Sequence, residues 1–503
     1  MGQSQELCAK SYTWIGGWIA ICPLGVFRVV SSGKKSLVRR CAQVFLIGCL
    51  FSLGVTISFA QAPASGAAPI SASDETQFEK ATAALNGGDF ARAESLLKEL
   101  HLRHPHNYEI NESLGLAYAS QNQLDSALPL LKAAAQEQPI ADVAHANLGA
   151  AYLKLGRNSD AARELQTAAQ LDPGNAQTQE ALGQTWMLLQ EPRKASAAFS
   201  AALAKDGANP DLLYNGALAF YETGDTAKAD SWLSRMPGVE TSAEAQSLYG
   251  DVEEKLGHYK DSAQHYVNAV KLAPTEANVY VLGVDFLRHW TFEPAVKEFE
   301  AGVKEFPDSR RMRFGLGVAY YGNGNYDQAI PVFAALLDTD AENTTYAELL
   351  GRTCMVLTEG TDPRCQAVLG FAEKHPQNAM LGTYAATNIL HRPSDPGQLE
   401  QARRLLQAAI QANPSLPEAR YEMAVLLQTQ KEWQQSIPEL EAAIRSKPDY
   451  SQAHYRLALA YSHAGRKEEA NSEIALQQKY SQQENQDLDA RMKQITTLLV
   501  SMK

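Results

Sequence analysis

The sequence predicts an all-α chain, a solenoid of about twelve helix-turn-helix repeats. Three observations carry this. Asp142 to Pro173 reads as two short helices joined by a turn at Gly156, and Leu148, Tyr152, Leu165 and Ala168 give each helix one apolar face. The punctuation then recurs: Pro105, Pro139, Pro173 and Gly207 fall 34 apart, and Pro274, Pro307, Ala341, Pro376, Pro414 and Pro448 continue the series. Small residues keep step in both helices, as at Gly115, Gly149, Gly183 and Ala217 in the first and Ala93, Ala127, Ala161 and Ala195 in the second. One such pair cannot bury both sides of its apolar face, so it requires copies of itself.

The order of elements follows. Repeats one to four, Asp74 to Asn209, are regular, and Asp142 and Asp211 are expected to cap helix starts. Met236-Pro237-Gly238 hands over to a less regular sixth repeat. Repeats seven and eight, Glu276 to Asn343, recover the pattern. Repeat nine carries a longer turn from Thr358 to Pro363, and repeat ten an insertion from His391 to Gly397. In residues 481–503, Leu488, Met492, Ile495, Leu499 and Met502 share one helical face and are expected to cap the last repeat. The alternative is a dimerising or partner-binding helix.

The pattern resembles the tetratricopeptide repeat, whose period is about 34 residues. The match is dense in Leu114, Gly115, Tyr118, Ala127, Ala134 and Pro139, and again in Leu316, Gly317, Tyr320, Gly324, Tyr326, Ala329 and Phe333. It covers residues 74–480. The resemblance implies a right-handed superhelix whose first helices line the concave face. It also implies a protein or peptide partner. On the inward register the richest stretch holds Tyr214, Tyr221, Tyr280, Phe314 and Tyr321, expected as the ligand groove, because aromatic rings anchor peptides at low entropic cost. The same rings would stack on a glycan. The chaperone-binding members of the family clamp a carboxylate with Lys, Asn and Arg. Here Asn147 and Asn215 occupy the Asn slot, but Glu112, Gln177, Glu180 and Glu244 flank it, so that ligand is not expected.

Residues 1–60 read as a targeting segment. Lys34 to Arg40 is basic, Val44 to Ala60 apolar, and Gln61 to Gly66 small and polar, the build of a secretory signal. Ser58-Phe59-Ala60 offers small residues for cleavage after Ala60. Residues 61–73 then form a flexible linker. A second apolar patch, Trp14 to Val30, places the start of translation near residues 29–30 or else makes the two patches an anchor. Leu46 to Cys49 resembles a lipoprotein box. The location expected is periplasmic or secreted, with membrane anchoring through this segment as the alternative.

Formal net charge is −12; the first 62 residues carry +5, leaving −17 for the rest. A body this acidic argues against nucleic acid. The chain lacks HExxH, a phosphate-binding Gly-rich loop and a CxxC pair, so no enzyme, cofactor or metal is expected. His101, His104 and His106 cluster, but in a helix-end turn that reads as a solvated polar end. The function expected is a non-catalytic scaffold for protein segments in the cell envelope, with carbohydrate handling in polysaccharide export, or substrate presentation to an enzyme, as alternatives. Cleavage after Ala60 removes Cys8, Cys22, Cys41 and Cys49. Cys354 and Cys365 remain, eleven apart, and are expected to form a disulfide in an oxidising compartment.

Overall fold

The computed structural model describes residues 70–205, 207–340, 343–356, 363–391 and 395–501, with side chains to residue 486. The expected targeting segment, residues 358–362 and 392–394 of the two long turns, and the side chains of the apolar face from Leu488 onward lie outside what is described. What is described is all-α, with 24 α-helices, and divides into two compact units at Leu272 and Ala273.

The N-terminal unit pairs α1 (Ala72–Asn86) with α2 (Phe90–Arg103), α3 (Tyr108–Ser120) with α4 (Leu124–Glu137), and α5 (Asp142–Lys154) with α6 (Asn158–Leu171). It continues with α7 (Ala176–Leu188) and α8 (Pro192–Leu203), α9 (Pro210–Thr223) and α10 (Thr226–Leu233), then α11 (Ala243–Leu256) and α12 (Tyr259–Leu272). The sixth repeat is entered through a short 3-10 turn, Val239–Thr241, where the sequence loses its regularity.

The C-terminal unit pairs α13 (Glu276–Arg288) with α14 (Phe292–Glu305) and α15 (Arg310–Gly322) with α16 (Tyr326–Thr339). There follow α17 (Thr344–Val356) with α18 (Gln366–Lys374), α19 (Ala379–Leu390) with α20 (Pro396–Ala412), α21 (Pro417–Thr429) with α22 (Trp433–Ser446), and α23 (Ser451–His463) with α24 (Lys467–Ser501). The stretch expected to cap the end is thus a continuation of the last second helix. Glu484 on it accepts from Ser451 Oγ at 3.0 Å, and Tyr480 stacks on His454 with centroids 5.3 Å apart.

Two features of the sequence make each pair close. In ten of the pairs the turn between the helices passes through a left-handed residue, at Gly88, Asn122, Gly156, Gln190, Gly224 and Gly257 in one unit and Trp290, Gly324, Lys431 and Gly465 in the other. Glycine reaches that conformation without a steric cost; Gln190, Trp290 and Lys431 do not. The small register then lets the second helix approach. A β-carbon on Gly115 would lie 2.8 Å from Leu131, and one on Gly183 2.7 Å from the Phe199 ring. The large side chain comes sixteen residues on because that is one turn plus the matching level of the facing helix.

The two capping expectations are corrected. Ala141 occupies the N-cap of α5 and Asp142 the first turn, while α9 is capped by Asn209, whose side chain accepts from the Asp211 and Leu212 amides. The aspartates still favour those helices, by placing negative charge at the positive end of the dipole.

Polar side chains tie each repeat to itself and to its neighbour. A residue in the first turn of the first helix bonds back to the carbonyl of the preceding turn and forward to the second helix, nineteen residues on. His145 does this with Pro139 and Glu164, Gln246 with Val239 and His265, Arg420 with Pro414 and Glu439, and His454 with Pro448 and Glu473. Between repeats, the ring near the end of the first helix meets a charge twenty residues earlier. Lys98 lies over Tyr118 and Lys132 over Tyr152, whereas the hydroxyls of Tyr320 and Tyr461 donate to Glu300 and Glu441 at 2.7 and 2.9 Å.

Candidate ligand groove

The predicted groove residues fall in both units and are described unit by unit. Tyr214 and Tyr221 lie on α9, half-buried, packed on the core formed by Phe199, Leu218 and Trp232. The Lys255 ammonium of α11 lies 3.5 Å over the Tyr221 ring and donates to the Tyr221 carbonyl at 3.2 Å. In the same unit, the inward Glu112 accepts from Asn147 of the next first helix at 2.9 Å. Burial holds the Glu112 carboxyl above its ordinary range.

In the C-terminal unit, Tyr280 on α13 is buried at 8% exposure, edge-on to Phe299, with Arg311 over its ring. Burial pushes its hydroxyl up to about 12. Phe314 of α15 is half-buried against Tyr346 of α17, centroids 5.7 Å apart. Tyr321 is half-buried and edge-on to Tyr326 at 5.6 Å. Four of the five rings therefore keep an accessible edge, and Tyr280 faces the packing between helices.

The inward register carries more than the aromatic residues indicate. Arg352 of α17 donates to the Tyr384 hydroxyl of α19 at 3.0 Å. Further along, Glu422 and Arg456 take the same slot in consecutive first helices. Their signal in the sequence was the slot itself, occupied by Asn147 and Asn215 earlier, where charge is rare because the position is shielded. A shallow cleft of about 650 Å3 opens elsewhere in this unit, lined by Glu348, Lys374, Asn378 and Asn413, and holds none of the predicted residues.

Cys354 on α17 and Cys365, in the 3-10 turn Pro363–Cys365 before α18, are a close buried pair with Cα atoms 5.8 Å apart, within the span of a disulfide. The three N-terminal histidines are not simply solvated. His104 bonds Asp74 at 2.9 Å and His101 bonds Asn111 at 2.7 Å, while His106 stays exposed. Among the described residues no helix is long and apolar enough to cross a membrane.

Two family models, both described as tetratricopeptide repeat, match the chain. One covers residues 78–142, 280–344 and 421–482, the other residues 118–185. No curated protein shows significant sequence similarity. Among solved structures, the chain is similar to the C-terminal part of a repeat protein from Cytophaga hutchinsonii, at 14% identity and a TM-score of 0.40, covering 48% of this chain and 99% of that one. It is similar to PilF of Pseudomonas aeruginosa at 16% identity and a TM-score of 0.35, covering 41% and 94%. It is also similar to YrrB, described as a tetratricopeptide repeat protein with an unusual peptide-binding site, at 15% identity and a TM-score of 0.34, covering 36% and 94%. The repeated models, placed on helix pairs with the left-handed turn and the small-residue contact, make this chain a member of the tetratricopeptide repeat family.

Proposed function

We propose that this protein is a non-catalytic scaffold of the bacterial cell envelope that holds protein segments along the inward register of its first helices. The family supports the scaffold role. One observation supports the ligand surface: Tyr214, Tyr221, Phe314 and Tyr321 stay partly exposed on first helices, where a core residue would be covered. Export rests on the basic, apolar, small order of residues 34–66, with cleavage after Ala60. In that compartment Cys354 and Cys365 are joined as a disulfide.

Crosslinking in intact cells, with mass spectrometry of the products, identifies partners. Tyr221→Ala with Tyr321→Ala weakens their capture about tenfold, the effect of losing about 1.4 kcal/mol of contact. Melting stays within about 2 °C of wild type. Unchanged capture removes the rings from the binding surface, and a fall of several degrees makes them core.

A further inference from the structure

In α3, α7, α15 and α21 the fourth residue of the first helix, Asn111, Gln179, Arg313 and Arg420, donates to the carbonyl of the proline six residues before it. Arg420 gives a second bond to Glu439 of α22 at 2.7 Å. Its guanidinium is a permanent cation and makes both bonds without taking up a proton. His454 fills the same slot in α23. Its Nε2 lies 2.9 Å from the Pro448 carbonyl oxygen, and its Nδ1 lies 2.5 Å from Glu473 Oε2 of α24. The side chain is 3% exposed, so solvent does not take the place of either partner.

A carbonyl oxygen only accepts, and so does a carboxylate. A neutral imidazole has one N–H. It serves one of the two oxygens and turns a lone pair on the other. The imidazolium serves both, as the Arg420 guanidinium does. A proton carried on Glu473 instead makes the same two bonds, with Nδ1 accepting. In either form the pair holds one proton more than a neutral ring beside a carboxylate.

We propose that the tie at His454 is held by this proton and is a pH-sensitive joint between α23 and α24. When the proton passes to solvent, Nδ1 and Glu473 Oε2 face each other as two acceptors, and one of the two bonds breaks. Tyr480 of α24 stacks on the same ring with centroids 5.3 Å apart, so a ring that turns from Glu473 also leaves Tyr480. The tie is fully made at lower pH and is lost as pH rises. His145 of α5 repeats the arrangement with Pro139 and Glu164, but there Arg163 lies 3.6 Å from the same carboxylate and shares it.

Other groups around the joint are accounted for. Burial raises the Glu484 carboxyl of α24, against the hydrogen bond from Ser451 and the attraction of Lys447, while Asp449 adds to the rise. A raised carboxyl also loses stability as pH rises, so Glu484 serves as the control. Burial holds the Tyr450 hydroxyl, between α22 and α23, well above its ordinary range, with Tyr421, Glu422 and Glu418 of α21 and Glu484 acting in the same direction. Lys447 lies 4.7 Å over its ring.

Amide exchange of the full chain is followed over α23 and over α24 as far as Tyr480, at about pH 6 and about pH 9, after correction for intrinsic rates. Wild type is protected about tenfold less at the higher pH. His454→Arg places in α23 the cation that α21 has in Arg420 and removes the difference. Glu473→Gln removes it by another route, because an amide donates to a neutral ring and accepts from a charged one. Glu484→Gln leaves the difference in place. Equal protection of wild type at both values, a difference that survives in His454→Arg or in Glu473→Gln, or one that vanishes in Glu484→Gln overturns the proposal.

Discussion

The two units solve one packing problem with different thoroughness. In the N-terminal unit every described buried side-chain polar atom has a hydrogen-bond partner; buried atoms without one, Glu422 Oε2 and both amide atoms of Asn388 among them, occur only in the C-terminal unit. Asn388 stands where Ala117, Ala151, Ala219 and Ala319 stand in other repeats. Second helices shorten in both units, α10 to 8 residues and α18 to 9, against 14 in α2, α4 and α6; α18 starts from the Cys354–Cys365 pair. A regular repeat satisfies itself. At α18, where the repeat departs from its pattern, a cysteine pair stands beside a shortened helix.

The largest test of this contrast is steric. A β-carbon on Gly216 of α9 would lie 1.9 Å from the Trp232 ring, whereas one on Gly370 of α18 meets nothing within 4 Å. Gly216→Ala therefore destabilises the N-terminal unit by about 3 kcal/mol, and Gly370→Ala stabilises the other by about 0.5–1 kcal/mol through helix propensity. Denaturant unfolding measures both. Similar values for the two would mean the units are packed alike.

Next comes the cysteine pair. The mature protein, denatured without reductant, shows no reactive thiol, and replacing both cysteines with Ala costs about 3 kcal/mol by loop closure. Two free thiols per chain would return repeat nine to ordinary packing. The smallest effect concerns what the units share. Gln190 and Lys431 both hold φ of 63° in equivalent turns. Gln190→Gly and Lys431→Gly each raise stability by about 0.5–1 kcal/mol, because relief of the left-handed strain exceeds the entropy glycine adds to the unfolded chain. A gain in one unit only would show that the turns are not equivalent.

What the sequence revealed was whatever recurs in one chemical type. The prolines, the glycine and alanine registers and the turn at Gly156 announce the period, because one geometry demands one residue there. The nineteen-residue ties leave no single-residue register, because His145, Gln246, Arg420 and His454 do one job with three chemistries. The caps fall one or two residues before Asp142 and Asp211, which suit a first turn as well as a cap. Tyr280 and Tyr214 look alike on a helical wheel; only the neighbouring Phe299 and Arg311 decide that one is covered.

The nineteen-residue tie opens and closes inside one repeat: the carbonyl at its start, the side chain six or seven residues later and the acceptor on the second helix all belong to the same stretch. A duplication or deletion that cuts at the proline moves every part of the tie together. One that cuts mid-repeat strands a histidine or arginine without its carboxylate. The ring clasp, spanning two repeats, survives any such exchange only if the newcomer brings a charge to the expected place. Whole repeats beginning at the proline are therefore the pieces in which the chain can lengthen or shorten with every such tie intact.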